Sequence, residues 1–307
     1  MRIIRGGRVP SKQNLAPVFG VLSSALVWGL IWYPYRVLQD AGMSGALATF
    51  IIYLLAMLCG AFMLPRVWRE LCSRNKTKAD WWVVVLLLSA GWTNLGYVLA
   101  VLYGEVMRVL LLFYLAPLWT ILFSYWLLGE RLNRYGYFII ALSFGGAFTM
   151  LWRPQLGLPL PSSFAEWIGL SAGMGFALSN VVSRRATHLS PGSKSYVIWL
   201  GTAMLTAPLL WWQGGLPDQL LTIDAQAALM LALLGIVICA TSFAVQYALA
   251  HLPANRAIAL FLFELVVAAV SSYFLADEAM QLREWFGALL IVAASLLSGR
   301  LHIDPLK

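Results

Sequence analysis

The sequence predicts an all-α polytopic membrane protein, with ten transmembrane helices arranged as two inverted five-helix repeats. Three observations predict it. The 307-residue chain is 61% hydrophobic and 11% charged, with a mean hydropathy of +0.79, whereas a soluble domain carries about 25% charged residues. Its lysines and arginines sit between apolar runs and favour one side. One long apolar stretch also occurs twice, half a chain apart.

An apolar run of about 20 residues is long enough to cross the hydrocarbon core of a bilayer. Ten such runs occur, at 15–37, 44–64, 81–103, 107–128, 135–152, 164–183, 194–213, 225–248, 255–275 and 282–299. The first follows a basic segment, MRIIRGGRVPSKQN. It exceeds the about 7–15-residue core of a signal peptide, and no small-x-small cleavage site follows it, so a retained span is expected. The connections are short and mostly polar, marked by Pro154, Pro159, Pro161, Pro191, Gly214, Gly215 and Pro217. RPQLGLPLPSS at 153–163 is the natural junction between halves, giving expected units 1–157 and 158–307.

Of the 21 lysines and arginines, all but Arg36, Arg108, Arg153 and Arg283 fall on the side that holds both chain ends. Cytoplasmic connections of membrane proteins are enriched in Lys and Arg, so both termini are expected in the cytoplasm. An even number of spans requires the same. The formal charge of +8 therefore marks topology, and no nucleic-acid partner is expected.

The repeated stretch is FYLAPLWTILFSYWLLGER at 113–131 and FLFELVVAAVSSYFLADEA at 261–279. A shift of 148 residues carries Phe113 onto Phe261, Tyr125 onto Tyr273, Leu127 onto Leu275 and Glu130 onto Glu278. It also carries Ala100 onto Ala248 and Arg108 onto Arg256. Such self-similarity signals internal duplication. Five spans per half is odd, so the second half enters from the opposite side. Inverted repeats of this kind build secondary transporters, whose sites lie between the halves near the midplane.

The ten runs, the paired endings PLWTILFSYWLLGER and LVVAAVSSYFLADEA, Trp28–Gly29 in the first span and the Pro117-to-Glu130 spacing resemble the drug/metabolite transporter superfamily, EamA type. Within it, VWG in span 1 and YLAPLWTILF in span 4 are similar to aromatic amino acid exporters. The resemblance covers essentially the whole chain. It implies a carrier of the bacterial inner membrane with a central cavity lined by spans 1, 3, 4, 6, 8 and 9, flanked by 5 and 10. The second half departs from the pattern: Leu265 stands where a proline usually follows the mid-helix glutamate.

Glu264 is the one acidic residue of 13 placed near a predicted helix middle. An ionisable group at that depth costs about 2.5–3.5 kcal/mol on insertion scales and faces a cavity or partner. It is either a contact for a solute ammonium or proton, or a neutral acid hydrogen-bonded between helices. Pro117, midway along span 4, removes the donor for the Phe113 carbonyl, which makes it a hinge or a static kink. Pro34 and Pro208 sit nearer helix ends. Most of the 14 tryptophans lie at predicted interfaces as belt anchors, while Trp28, Trp92, Trp119, Tyr97 and Tyr114 are deeper. Asn94 and Tyr97 on span 3, Phe176 and Asn180 on span 6, and Ser242 and Gln246 on span 8 each share a face by helical spacing. Such pairs either join helices or line a cavity. Candidate substrate contacts are therefore Trp28, Asn94, Tyr97, Tyr114, Phe176, Asn180, Ser242, Gln246 and Glu264. Small residues at Gly169, Gly173 and Gly175, and at Gly96, Ala100 and Gly104, permit close helix approach.

Gly169–Gly173 also matches GxSxG, but a nucleophile elbow needs a strand–turn–helix and a base, and this match lies inside an apolar run. The histidines His188, His251 and His302 fall in loops or tails. No HExxH or Walker loop appears, which removes a metalloprotease and an ATP-driven pump. Cys59 and Cys239 read as buried apolar residues and Cys72 as a loop residue, with no disulfide or metal framework. The expectation is a cofactor-free secondary carrier, monomer or weak homodimer, whose partners are a small-molecule substrate and the lipid bilayer. Aromatic or bulky apolar amino acids lead, and drugs or purines are the rival solutes. A membrane-embedded enzyme or scaffold is the rival class.

Overall fold

The computed structural model describes residues 15–72, 80–129, 134–152, 160–186, 188–214, 216–221, 223–251, 260–261 and 263–298. The apolar runs fold as helices wherever they are described, because a helix satisfies its own backbone polar groups without water. In chain order they are α1 (Ala16–Leu30), α2 (Trp32–Asp40), α3 (Gly45–Cys59), α4 (Leu64–Leu71), α5 (Asp80–Tyr103), α6 (Val106–Phe113) and α7 (Ala116–Phe123). Then come α8 (Arg134–Leu151), α9 (Phe164–Arg185), α10 (Pro191–Gln213), α11 (Leu216–Leu221), α12 (Ala225–His251), α13 (Phe263–Ala276) and α14 (Leu282–Ser298). No strand occurs among the described residues. Serine caps start several helices: Ser44 accepts from Leu47 N–H, Ser163 from Glu166 N–H and Ser190 from Ser193 N–H. Each supplies a partner for an otherwise unpaired first-turn donor.

Four segments are long and apolar enough to cross a membrane: Ala16–Asp40, Trp81–Tyr103, Val106–Leu128 and Ala225–Val245. Gly45–Cys59 with Ala61–Leu71, bent by 54°, makes a fifth if counted as one span. The other expected spans hold α8, α9, α10, α13 and α14. Of these, α13 and α14 have only 14 and 17 described residues.

Two further expected spans are broken beside prolines. Ile31 interrupts α1 and α2, three residues before Pro34, and Tyr114–Leu115 interrupts α6 and α7, just before Pro117. Proline has no N–H to bond the carbonyl four residues back, so each break follows from covalent structure. Pro208, expected near a helix end, lies five residues before the end of α10 and leaves the helix unbroken. Span 4 ends in a π-helical turn, Ser124–Leu128, closed by Gly129 at φ 70°. The repeat shift carries Gly129 onto Asp277, the one non-glycine residue at positive φ among those described, at 53°. Both copies thus stop their helix with a left-handed residue at the same position.

The packing partners also exchange under that shift. α1 lies against α12 and α13, while α9 lies against α5, α6 and α7; α10 meets α5 as α12 meets α3; α3 meets α10, and α8 meets α14. The correspondence reaches single residues. A Cβ at Gly20 would lie 3.0 Å from the Ala244 carbonyl oxygen, and one at Gly96 would lie 3.5 Å from Ile168. The shift turns one pair into the other. Ala100 and Ala248 are both fully buried. Of the cysteines, Cys239 is buried as expected, but Cys59 is exposed: it ends α3 on an outward face.

Candidate functional site

The broken helices converge on Glu264. It is buried at 7% exposure near the first described residue of α13, and Leu260 and Phe261 just ahead of it are helical as well. The carboxylate receives Tyr114 Oη on Oε2 at 2.9 Å and Tyr97 Oη on Oε1 at 3.3 Å. It makes no salt bridge among the described residues. Tyr97 comes from α5, and Tyr114 sits at the break after α6.

Each phenol has a second acceptor in reach. Tyr97 Oη lies 2.9 Å from the Trp28 carbonyl oxygen and Tyr114 Oη lies 3.1 Å from that of Phe261. A tyrosine hydroxyl donates once and can accept. With Glu264 ionised, both hydroxyls can turn to the carboxylate. With Glu264 protonated, they can turn to the carbonyls and accept from the acid. The node can therefore hold either protonation state without leaving a donor unserved.

Aromatic rings surround it. Trp28 meets Tyr97 edge-on at 5.5 Å, and Phe113 lies 5.5 Å from Tyr97, 5.8 Å from Tyr114 and 5.4 Å from Phe176. The Phe113 carbonyl that Pro117 frees faces α9: a Cβ on Gly173 would sit 2.5 Å from that oxygen. Only a glycine fits there. Gly29 is equally tight, with Val267 at 2.8 Å and the Glu264 carbonyl oxygen at 2.9 Å from a Cβ.

The structure brings Trp28, Tyr97, Tyr114, Phe176 and Glu264 together. Asn94 is engaged elsewhere, donating to Thr202 Oγ1 of α10 at 3.1 Å, and Ser242 accepts from the buried Trp199 Nε1 at 3.0 Å. Both join helices rather than face the Glu264 node. Asn180 is exposed on α9. The side chains of Gln246 and Pro117 lie outside the described residues, although the break that Pro117 predicts is present. Ser171 of the GxSxG match sits within α9, accepting from Trp92 Nε1 at 3.2 Å and donating to the Ile168 carbonyl at 2.8 Å, with no strand–turn–helix around it.

Phe113 was not among the sequence candidates. Its place immediately ahead of the break, at the repeat partner of Phe261, was the signal available. The buried ion cluster at the opposite end of α13 was also missed. There Arg108 Nε donates to Glu166 Oε1 at 3.0 Å and Nη1 to Glu284 Oε1 at 2.9 Å. Arg36 meets Glu278 at 3.3 Å, and Glu278 accepts from Val106 N–H at 2.8 Å.

The sequence pattern of the EamA-like transporter family matches the chain twice, over residues 15–152 and 163–300. An uncharacterised transporter of Archaeoglobus fulgidus is 28% identical over 232 residues, which is 75% of this chain and 80% of its own. Protein RarD of Streptomyces exfoliatus is 30% identical over 185 residues, 57% of either chain. An uncharacterised transporter of Pseudomonas aeruginosa is 25% identical over 195 residues, 62% of this chain and 60% of its own. A solved crystal structure superposes with a TM-score of 0.57 at 17% identity, over 92% of this chain and 97% of that one; at that identity it shows the fold alone.

Proposed function

We propose that this chain, which belongs to the EamA-like transporter family, is a secondary carrier that exports aromatic or bulky apolar amino acids by alternating access. Family membership makes the protein a membrane transporter and not an enzyme. The observation that carries the rest is Glu264, buried and held by Tyr97 and Tyr114 from two different spans, beside the rings of Trp28, Phe113 and Phe176. A solute ammonium can take the carboxylate in place of a proton, while a ring packs edge-to-face or stacks among the aromatics.

The reading includes ten spans in two inverted repeats, divided as 1–157 and 158–307, in the bacterial inner membrane with both termini cytoplasmic. Two facts support it. Packing partners exchange between halves under the repeat shift. The basic residues also sort by end: Arg66, Arg185 and Lys194 lie at one end, and Arg36, Arg108 and Arg283 at the other. Those last three are each held by a carboxylate or, for Arg283, the Trp152 carbonyl at 2.6 Å. They are structural and do not oppose the charge bias. Inverted halves can exchange conformations about a shared site and so expose it to either side in turn.

Thermal unfolding of the purified protein with a panel of solutes tests the substrate class. A ligand at about 100 times its dissociation constant adds about 2.7 kcal/mol to stability. L-phenylalanine, L-tryptophan and L-leucine are expected to raise the unfolding temperature, and glycine and adenine are not. Stabilisation by purines or lipophilic amines alone contradicts amino acid transport.

A further inference from the structure

The second polar centre of the molecule lies at the far end of α13. At 1.5 Å per residue, about 18 Å separate Glu264 from Ala276, the last helical residue before this centre. Here the ends of α2, α6, α9, α13 and α14 meet. Arg108, exposed at 4%, bridges Glu166 and Glu284, exposed at 5% and 6%. Its Nη2 nevertheless has no partner among the described residues, and neither does the buried Nε of Arg283. Both residues wall one cavity of about 320 Å³, together with Glu105, Asp277, Glu278, Glu284, Met107 and Met280 among others. A buried donor without an acceptor carries a desolvation cost of about 1–3 kcal/mol, more for a charged group. Two arginines that wall one cavity thus each keep a donor without an acceptor among the described residues.

The charge around the cavity restricts what can bring those oxygens. Glu278 is offset by Arg36, and Glu284 by Arg108. Glu105 and Asp277 remain, both exposed, with Glu105 only 3.8 Å from Arg108 Nε. A simple anion meets these carboxylates as like charges. A simple amine leaves the guanidinium donors unserved. A zwitterion answers both, and the two methionines offer an adaptable apolar wall for its side chain.

We propose that this cavity is a second solute site, an exit subsite that takes the head group of a zwitterionic amino acid. The solute carboxylate accepts from the guanidinium groups of Arg108 and Arg283, and its ammonium lies toward Asp277 and Glu105. The proposal rests on the carrier reading for its place in transport, but its test does not depend on transport.

Ala279 is exposed and lines the cavity. Ala279→Cys is placed in the full chain carrying Cys59→Ala, Cys72→Ser and Cys239→Ala, and reacted in proteoliposomes with a membrane-impermeant maleimide. L-phenylalanine is expected to slow labelling about fivefold at about 80% occupancy. 3-Phenylpropionate and phenethylamine, each carrying half the head group, are expected to slow it less than about twofold under the same occupancy arithmetic. Asp277→Asn, whose asparagine tolerates the same left-handed backbone, should remove the protection, read as the ratio of protected to unprotected rates within that variant. Protection should persist with Glu264→Gln, because the site is local. Equal protection by 3-phenylpropionate, no protection by L-phenylalanine, or protection that disappears with Glu264→Gln each overturns the proposal. Counterflow of L-phenylalanine in the same vesicles separates the two readings. Counterflow without protection removes only the subsite, and protection without counterflow removes only the carrier.

Discussion

Tyr114 Oη donates to Glu264 Oε2 at 2.9 Å, joining the break in the first repeat's helix to its counterpart in the second. Tyr97 reaches the other carboxylate oxygen, so three spans share one ionisable group. Any relative movement of the halves at this level must lengthen one of these bonds or carry it along.

Tyr97→Phe and Tyr114→Phe should therefore be coupled. Each alone leaves Glu264 one hydroxyl donor, and together they leave it none. Each single change is expected to weaken L-phenylalanine affinity by about 1 kcal/mol, or about fivefold. The double change should exceed the sum by about 1 kcal/mol. Ligand titrations followed by thermal unfolding measure the cycle; a strictly additive result means that the hydroxyls do not share the carboxylate.

Two glycines should respond in opposite directions. Gly173→Ala drives a methyl to 2.5 Å from the Phe113 carbonyl oxygen, whereas a Cβ at Gly145 meets nothing within 4 Å. Overpacking is expected to cost Gly173→Ala about 1–3 kcal/mol. Gly145→Ala should gain up to about 1 kcal/mol from helix propensity. Unfolding temperatures of the two variants check both signs, and a stabilised Gly173→Ala contradicts the close packing of α9 on the break.

Arg108→Met should destabilise more than the triple change Arg108→Met, Glu166→Gln, Glu284→Gln. The single change strands two buried carboxylates, a loss of about 3–5 kcal/mol for a broken buried pair. The triple change removes the charges together. Expression level and unfolding temperature give the order, and a triple variant weaker than the single one contradicts it.

Much of this was legible in the sequence, and the misses have physical causes. Glu264 stood out because a lone carboxylate in an apolar run has little reason to be there except to meet a partner. Pro117 announced the break in span 4 through a missing N–H. Asn94, Ser242 and Asn180 were assigned faces by spacing, but spacing does not say which neighbour a face meets. Thr202 and Trp199 claimed the first two, and the third is exposed. Arg108, Glu166 and Glu284 sit at run ends, where charge is ordinary. Their partners lie 58 and 176 residues apart, and no local pattern links them.

The most direct test of the central claim is counterflow in proteoliposomes preloaded with unlabelled L-phenylalanine. Wild-type protein is predicted to concentrate labelled L-phenylalanine transiently, and Glu264→Gln to lose that overshoot while remaining folded. Slow equilibration by leakage alone across the amino acid panel, or an overshoot unchanged in Glu264→Gln, would contradict a carrier built on the Tyr97–Glu264–Tyr114 node.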